Sequence, residues 1–165
     1  MGITKKYIKS IRAFFFTLLA KRQIKKYGTR LVVNHYSQFI GDISIGNNCH
    51  FNGFKFNGGE LIIGDNFHSG EDILILAKNH NYEGKAIPYD DTYIEKKVTI
   101  EDNVWLGDRV LIIGNVHIGE GVIVGAGAII TKNIPPLAIV IGNNKIIKYR
   151  NAKNYYQLKK MNCYH

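Results

Sequence analysis

The sequence predicts an all-β protein whose short strands stack in regular coils, preceded by an amphipathic helix. Three observations support this: an apolar pattern that repeats every six residues, 17 glycines beside only three prolines, and one long polar interruption of the pattern. Frequent glycines suit a backbone that turns often. With 165 residues, the chain is long enough to bury one core and is expected to form one domain.

The repeat is clearest in the second half of the chain. Its apolar positions form two series that each advance by six residues and lie two residues apart. The series are Ile100, Leu106, Ile112, Ile118, Val124 and Ile130, and Val98, Val104, Val110, Val116, Val122 and Ala128. Residues two apart on an extended chain face the same side, so each hexad supplies a short strand with two inward side chains. Because one hexad cannot bury this face alone, the pattern predicts stacked coils.

A looser version of the period occupies residues 43–75, one residue out of phase. Its inward positions are Ile43, Ile45, Cys49, Phe51, Leu61, Ile63, Phe67, Ile73 and Ile75. The residues that break the rule are Lys55, Asn57 and Ser69. The change of phase falls within 76–99, a polar segment. It predicts a loop near 78–97 that is extruded from the stack.

Charge is distributed unevenly along the chain. Residues 1–30 hold nine basic and no acidic side chains, residues 31–131 hold six basic and thirteen acidic, and residues 132–165 hold seven basic and none acidic. A nucleic-acid-binding protein would show a continuous basic stripe with interleaved aromatic residues. The split distribution therefore argues against a nucleic-acid partner.

Residues 4–27 are expected to form a basic amphipathic helix around the apolar run 13–20. This run is too short to span a bilayer, and no small-residue cleavage site follows it. The cations beside it are Lys5, Lys6, Lys9, Arg12, Lys21, Arg22, Lys25 and Lys26. Two interpretations stay open: contact with an anionic membrane surface, or packing of the aromatic face on the domain or on a neighbouring subunit.

Two segments of the repeat are distinctive, namely IEDNVWLG at 100–107 and GEGVIVGAGAIITKNIPP at 119–136. They resemble the hexapeptide-repeat acyltransferases, above all the branch with galactoside, maltose and xenobiotic O-acetyltransferases and enzymes of surface-polysaccharide decoration. The resemblance covers about residues 40–150. It implies a left-handed parallel β-helix of triangular section with three hexads per coil, usually assembled as a homotrimer with active sites between subunits. The expected parts are a basic amphipathic helical segment at 1–30, the acyltransferase domain at 31–150 and a C-terminal helical tail at 151–165.

Acetyl transfer to a hydroxyl needs a base that works near neutral pH, and histidine is the usual one. His80, in the segment LAKNHN at the start of the loop, resembles the base-bearing segment of the family, which implies that it is the general base. The sequence does not identify the carboxylate that would orient its ring. Glu83, Asp90 and Asp91 are near in the chain, and a neighbouring subunit is an equal source.

The resemblance also implies acetyl-CoA as the donor. The matching positions are Trp105, Gly107, Ala126, Thr131, Lys132, Lys145 and Lys148. Trp105 precedes an inward leucine and is expected to project outward, where it borders the acceptor or the pantetheine arm, or packs on another subunit. The chain reads GNNK at 142–145, one residue shorter than the family pattern, so a solvated basic tail is the alternative for the last two lysines. Asn52 matches an acceptor-contacting position, with turn stabilisation as its alternative role.

The expected activity is acetyl-CoA-dependent O-acetylation of a sugar hydroxyl, in O-antigen, capsule or a precursor, by direct transfer. The alternatives are N-acetylation of a nucleotide-linked amino sugar, a non-catalytic β-helix scaffold and inactivation of a hydroxylated drug. Cys49 lies on an inward position, which favours the core over a nucleophilic role. Because neither Cys49 and Cys163 nor the histidines show metal-ligand spacing, no metal is expected. A location in the reducing cytoplasm is expected, either free or at the inner face of the cell membrane.

Overall fold

The computed structural model describes residues 2–165, with side chains from Tyr7 onward, and shows a parallel β-helix with an α-helix at each end. The predicted contributions of Lys5 and Lys6 lie outside the described side chains. The helices are α1, Gly2–Lys21, and α2, Ala152–Lys160. The strands between them are β1 Lys26–Tyr27, β2 Val32–His35, β3 Gln38–Ile45, β4 His50–Ile63, β5 His68–Leu76, β6 Lys78–His80, β7 Tyr93–Glu95, β8 Lys97–Ile100, β9 Trp105–Leu106, β10 Leu111–Ile113, β11 Val116–Ile118, β12 Ile123–Val124, β13 Ile129–Ile130, β14 Ala138–Ile141 and β15 Lys145–Tyr149.

Strand pairing defines the coils. Residues 18 positions apart lie side by side in parallel, as Val98 does with Val116 and Trp105 with Ile123. Three hexads therefore make one coil, and the strands form three faces. Face 1 contains β1, β8 and β11, face 2 contains β2, β9, β12 and β14, and face 3 contains β10 and β13. The longer strands β3, β4 and β5 bend around the corners and contribute to more than one face. The predicted hexapeptide β-helix is confirmed.

The inward side chains of successive coils form one continuous core. All positions of the two second-half series, from Val98 to Ile130, are buried. In the first half, where Lys55 breaks the repeat, Phe54 and Phe56 face inward and Lys55 faces solvent. The reason is a one-residue shift in the register of β4 against both β3 and β5.

Cys49 lies in this core, as the hexad position predicted. Its side chain is fully buried, and burial raises the pKa of its thiol to about 11. A thiol with that pKa stays protonated at neutral pH, so Cys49 is not available as a nucleophile.

The polar interruption forms the expected extruded segment. β6 and β7 pair antiparallel as a hairpin whose tip is formed by residues 81–92. The hairpin leaves face 3 after Leu76 and returns to face 1 at Lys97, so it projects from the corner between those two faces. Across this excursion, paired residues such as His68 and Trp105 are 37 positions apart instead of 18.

Both ends of the β-helix differ from the predicted boundaries. α1 ends at Lys21 rather than near residue 27, because Lys26 and Tyr27 pair with Ser44 and Ile45 as the first strand. The coils thus begin inside the segment that was expected to be helical. α2 is shorter than the predicted tail, and the side chain of Asn151 caps it by accepting a hydrogen bond from Asn154 N at 2.9 Å. Neither described helix is long and apolar enough to cross a membrane.

A glycine packs against the base of the hairpin and cannot be replaced without displacement of the backbone. Gly59 has a φ of +75°, and a Cβ atom there would collide with the carbonyl oxygens of Lys96 and Ala77 at the base of the hairpin. Gly142 has a φ of +55° but open space around it, so it offers a matched control.

We expect Gly59→Ala to lower the free energy of unfolding by more than about 2 kcal/mol, because strained φ and steric collision add. Gly142→Ala should cost only about 1–2 kcal/mol, from the backbone conformation alone. Urea denaturation followed by circular dichroism measures both variants. Equal losses would show that the hairpin base tolerates the extra methyl group.

Candidate active site

His80 is the last residue of β6 and lies against the aromatic rings of the hairpin. Its ring stacks on Tyr89, with centroids 3.9 Å apart and planes 19° apart, and the centroid of Tyr93 is 4.7 Å away. The Nδ1 atom of His80 is buried and has no hydrogen-bond partner among the described residues. The two tyrosines therefore hold the imidazole in one orientation, and its buried nitrogen has unused hydrogen-bonding capacity.

The nearby carboxylates do not orient His80 within the chain. Asp90 accepts hydrogen bonds from the Thr92 hydroxyl, from Thr92 N and from Lys85 N, and these bonds lower the pKa of its carboxyl group. Asp90 thus organises the tip of the hairpin. Within residues 7–165, neither Glu83 nor Asp91 forms a hydrogen bond or ion pair with the His80 ring. None of the three predicted candidates is in place as its partner.

Face 2 carries an outward row that includes two of the predicted donor-binding residues. Strand register places Trp105 beside Ile123, Ile123 beside Ile139, and Ile139 beside Lys148 of β15. At about 4.8 Å between strands, the row spans about 14 Å along the β-helix axis. Trp105 is 54% exposed, which confirms that it projects outward. An extended chain with an anionic end fits such a row, with the ring at one end and an ammonium group at the other.

A second group of predicted residues is assembled by one asparagine. Asn144 Oδ1 accepts hydrogen bonds from Thr131 N at 2.9 Å and Lys132 N at 3.2 Å, and its Nδ2 donates to the Thr131 hydroxyl at 2.8 Å. Lys145 follows directly in the sequence. The short GNNK turn therefore brings Lys132 and Lys145 to the same place, with both side chains exposed.

Gly107 and Ala126 lie next to each other at the corner between faces 2 and 3. A Cβ atom on Gly107 would stand 2.6 Å from Ala126 N, so only glycine permits this approach. Ala126 is exposed, and within the described chain its N–H donates to no acceptor. A free amide on an open corner can donate to a carbonyl of an extended ligand. A groove of about 430 Å³ lies beside it and is lined by Glu71, Asp72, Asp108, Arg109, Ala126 and Gly127.

Beside Trp105, a cavity of about 480 Å³ lies between face 2 and the C-terminal segment. Its walls include the side chains of Asn66, His68, Asn103, Tyr155, Lys159 and His165. The His68 ring stacks on His50 at 4.6 Å and meets the ring of His165 edge to face at 5.3 Å. Burial lowers the pKa of His68 to about 4, so the imidazole is neutral at pH 7.

A partly buried polar network fixes the C-terminal wall of this cavity. Glu120 accepts hydrogen bonds from the Tyr155 hydroxyl at 2.8 Å and from the Lys159 ammonium at 2.5 Å, and Asn103 donates to Tyr155 at 2.9 Å. Burial, followed by the bond to Glu120, raises the pKa of Tyr155. Among the side chains from Tyr7 onward, no three metal-ligating residues lie close enough to hold an ion.

Asn52, the predicted acceptor residue, is committed to the coils. Its Oδ1 accepts from Asn34 Nδ2 at 2.9 Å, and its Nδ2 donates to the carbonyl of Ser69 at 2.6 Å. These bonds join three successive coils on face 2. The geometry therefore fits the stabilising role that the sequence left as its alternative.

The chain separates its candidate base from those candidate donor residues that lie on face 2. Trp105 and Lys148 lie on face 2, and Ala126 lies at one edge of that face. His80 projects from the corner between faces 3 and 1, which is opposite face 2 in a triangular section. Trp105 and Lys148 therefore lie on the far side of the coils from His80, whereas Thr131 and Lys132 follow β13 of face 3 and lie towards the corner from which the hairpin projects.

Comparison with known proteins identifies the repeat. Residues 97–132 match the family model described as bacterial transferase hexapeptide, six repeats. Together with the 18-residue strand pairing, this match shows that the chain contains hexapeptide repeats. A comparison with curated proteins finds no match.

Solved structures share the fold of this hexapeptide-repeat protein. A mutant of AntD, an N-acyltransferase from Bacillus cereus, in complex with dTDP and coenzyme A, gives a TM-score of 0.66 at 19% identity, covering 88% of this chain and 95% of that chain. Another AntD mutant, with dTDP-4-amino-4,6-dideoxyglucose and coenzyme A, gives 0.69 at 19% identity, covering 88% and 94%. The Vibrio cholerae hexapeptide-repeat acetyltransferase VCA0836, complexed with acetyl coenzyme A, gives 0.61 at 21% identity, covering 90% of each chain.

Sequence reasoning about this hexapeptide-repeat protein missed the cavity wall and the aromatic support of the base. Asn103 and Tyr155 are 52 positions apart, and the hexapeptide repeat does not predict the hydrogen bond between them. Tyr89 and Tyr93 are in the polar loop that was predicted, but no pattern in the sequence assigns their rings to His80.

His68 should give the hexapeptide-repeat protein a measurable pH dependence. Its folded-state pKa, about 4, lies below the ordinary value of 6.5, so the unfolded chain binds more protons between these values. The free energy of unfolding should therefore fall as the pH is lowered from 6.5 towards 4. His68→Gln should show a smaller fall in urea denaturation across that window. A His68 ring that titrates near pH 6.5 by NMR would contradict the burial argument.

Proposed function

We propose that this chain is an acetyl-CoA-dependent O-acetyltransferase that acts on a sugar hydroxyl, in the synthesis of a cell-surface polysaccharide such as O-antigen or capsule. The observation that carries the proposal is the His80 imidazole, which two tyrosines hold on an extruded hairpin with Nδ1 buried and unpartnered. The bacterial transferase repeat at 97–132 and the outward donor row support the same chemistry. A cytoplasmic location is part of the proposal, and the two free cysteines are consistent with that reducing compartment.

The proposed reaction is direct transfer in a ternary complex. His80 takes the proton of the acceptor hydroxyl while the oxygen attacks the thioester carbonyl. The carbon–sulfur bond then breaks, and the departing thiolate of coenzyme A recovers the proton from the imidazolium. Trp105 would border the pantetheine arm, and Lys132, Lys145 and Lys148 would face the phosphates. The buried, protonated thiol of Cys49 gives no alternative nucleophile.

We further propose that the active site forms between subunits of a homotrimer. The support is geometric: within one chain, His80 lies at the corner opposite the face that carries Trp105. Three copies around a threefold axis would place that corner of one copy against face 2 or its edge on the next. A neighbouring subunit could then also provide the carboxylate or carbonyl that the His80 ring lacks.

We expect His80→Ala to lower turnover by about 10²- to 10⁴-fold, because transfer would lose its general base. Acetyl transfer from acetyl-CoA is measured by mass spectrometry on a panel of hydroxyl and amino sugars. His117→Ala is the matched control, since His117 is exposed on face 1 and pairs with Glu101. Turnover of His80→Ala near that of the control, with an unchanged circular dichroism spectrum, would remove His80 from the role.

A shared site predicts complementation between two inactive chains. His80→Ala and Trp105→Ala should each be impaired alone, but co-expressed copies should regain activity in about a third of the sites of the mixed trimers. Tandem purification on two different tags isolates the mixed assemblies for assay. If mixed assemblies stay as inactive as either parent, each site is built within one chain.

The second candidate is N-acylation of a nucleotide-linked amino sugar. It is favoured by the fold match to AntD, an N-acyltransferase solved with dTDP-4-amino-4,6-dideoxyglucose and coenzyme A. The amino members of the acceptor panel separate the two reactions, since an amine that is acetylated in preference to all hydroxyls would favour this candidate. A scaffold that had lost its chemistry would transfer to neither acceptor.

A further inference from the structure

The N-terminal helix presents a large apolar surface to solvent. Its exposed members lie on one side of α1, as the spacing of three, four and seven residues requires. We call this surface the α1 stripe: Tyr7, Ile8, Ile11, Phe14, Phe15 and Leu18. Phe14 is 73% exposed, although phenylalanine is normally among the more buried residues. A contiguous patch of this kind marks an interaction site.

The opposite side of α1 is fixed to the β-helix, so the stripe cannot turn inward. Ala20 is buried, and Phe16 packs against the core. The Thr17 hydroxyl accepts a hydrogen bond from Val33 N at 2.9 Å, which ties the helix to β2. After the helix, Gln23 Oε1 accepts from Phe39 N at 2.8 Å. The solvent exposure of the stripe is therefore a feature of the folded chain.

The segment that carries the stripe is rich in cations and contains no acidic side chain. Residues 1–30 contain nine basic and no acidic side chains. Lys25 pairs with Asp42 of the body at 2.8 Å, and Arg12 contacts His35. In the described part of the chain, Lys21, Arg22 and Lys26 are exposed and form no ion pair. The helix thus combines an apolar side with unneutralised cations at its borders.

We propose that α1 docks the protein on the surface of an anionic lipid bilayer, with the α1 stripe at the acyl boundary and the cations at the level of the phosphates. Charge complementarity selects this occupant, because the bilayer supplies both apolar volume and negative charge. A second copy of the chain would place two stripes together and bring two sets of cations into proximity, with no acidic residue in 1–30 to offset them. The docking is interfacial, since α1 is not apolar enough to span the bilayer.

The proposal does not depend on the acetyltransferase activity. The stripe lies at the N-terminal end of the stack, whereas Trp105, Lys132 and Lys148 lie on the C-terminal coils. Vesicle binding and acetyl transfer to a soluble acceptor are therefore separate measurements, and either can fail without the other.

The test is co-sedimentation of the full chain with vesicles of phosphatidylcholine alone or mixed with phosphatidylglycerol. We expect binding to the mixed vesicles only, and loss of most binding when sodium chloride is raised from about 0.1 M to 0.5 M. Phe14→Ser with Phe15→Ser should reduce the bound fraction about tenfold or more. The matched control is Tyr156→Ser with Met161→Ser, which removes two exposed apolar side chains from the C-terminal segment.

Light scattering after size-exclusion chromatography completes the test. The proposal predicts the same oligomeric state for wild type, stripe variant and control. Absence of binding to anionic vesicles, or equal binding by the stripe variant and wild type, would overturn it. A stripe variant that changes oligomeric state would show that another copy of the chain covers the stripe, which also overturns membrane docking.

Discussion

Burial of aliphatic side chains between successive coils is the constraint on which this molecule depends. No coil has a core of its own, since Ile100, Leu106 and Ile112 of one coil form the floor on which the next coil packs. The same register that aligns these side chains inside also aligns columns outside. The positions of Trp105, Ile123 and Ile139 in the outward row are thus a consequence of core packing. The proposed donor row is thus positioned by core residues that are not part of it.

The candidate base, the cavity beside Trp105 and the α1 stripe lie where the repeat is interrupted or ends. The hairpin that carries His80 replaces a simple corner, and the C-terminal segment covers part of face 2 beside Trp105. α1 closes the opposite end. Within the coils, polar side chains such as Asn52 form hydrogen bonds between neighbouring coils. The repeats therefore form the scaffold that positions the inserted hairpin and the terminal segments, which carry the candidate functional groups named above.

The sequence predicted those features that repeat. Hexad spacing identified all inward positions from Val98 to Ile130, and it predicted the outward side of Trp105 and the extruded loop. It did not predict Phe54 and Phe56 at inward positions, because a one-residue register shift leaves the local alternation intact while moving its phase.

Features that depend on distant partners were also out of reach. The end of α1 is set by pairing of Lys26 with Ser44, and the cavity beside Trp105 is closed by residues from the far end of the chain. The place of His80 in the hairpin could be predicted by resemblance, whereas its stacking on Tyr89 depends on the fold of the hairpin tip. The final strand has a consequence for assembly. β15 runs antiparallel to β14, and Lys145 and Lys148 charge its free edge. Charged side chains on a free edge oppose pairing with a strand of another molecule, so β15 disfavours tip-to-tip growth of the solenoid into a fibre.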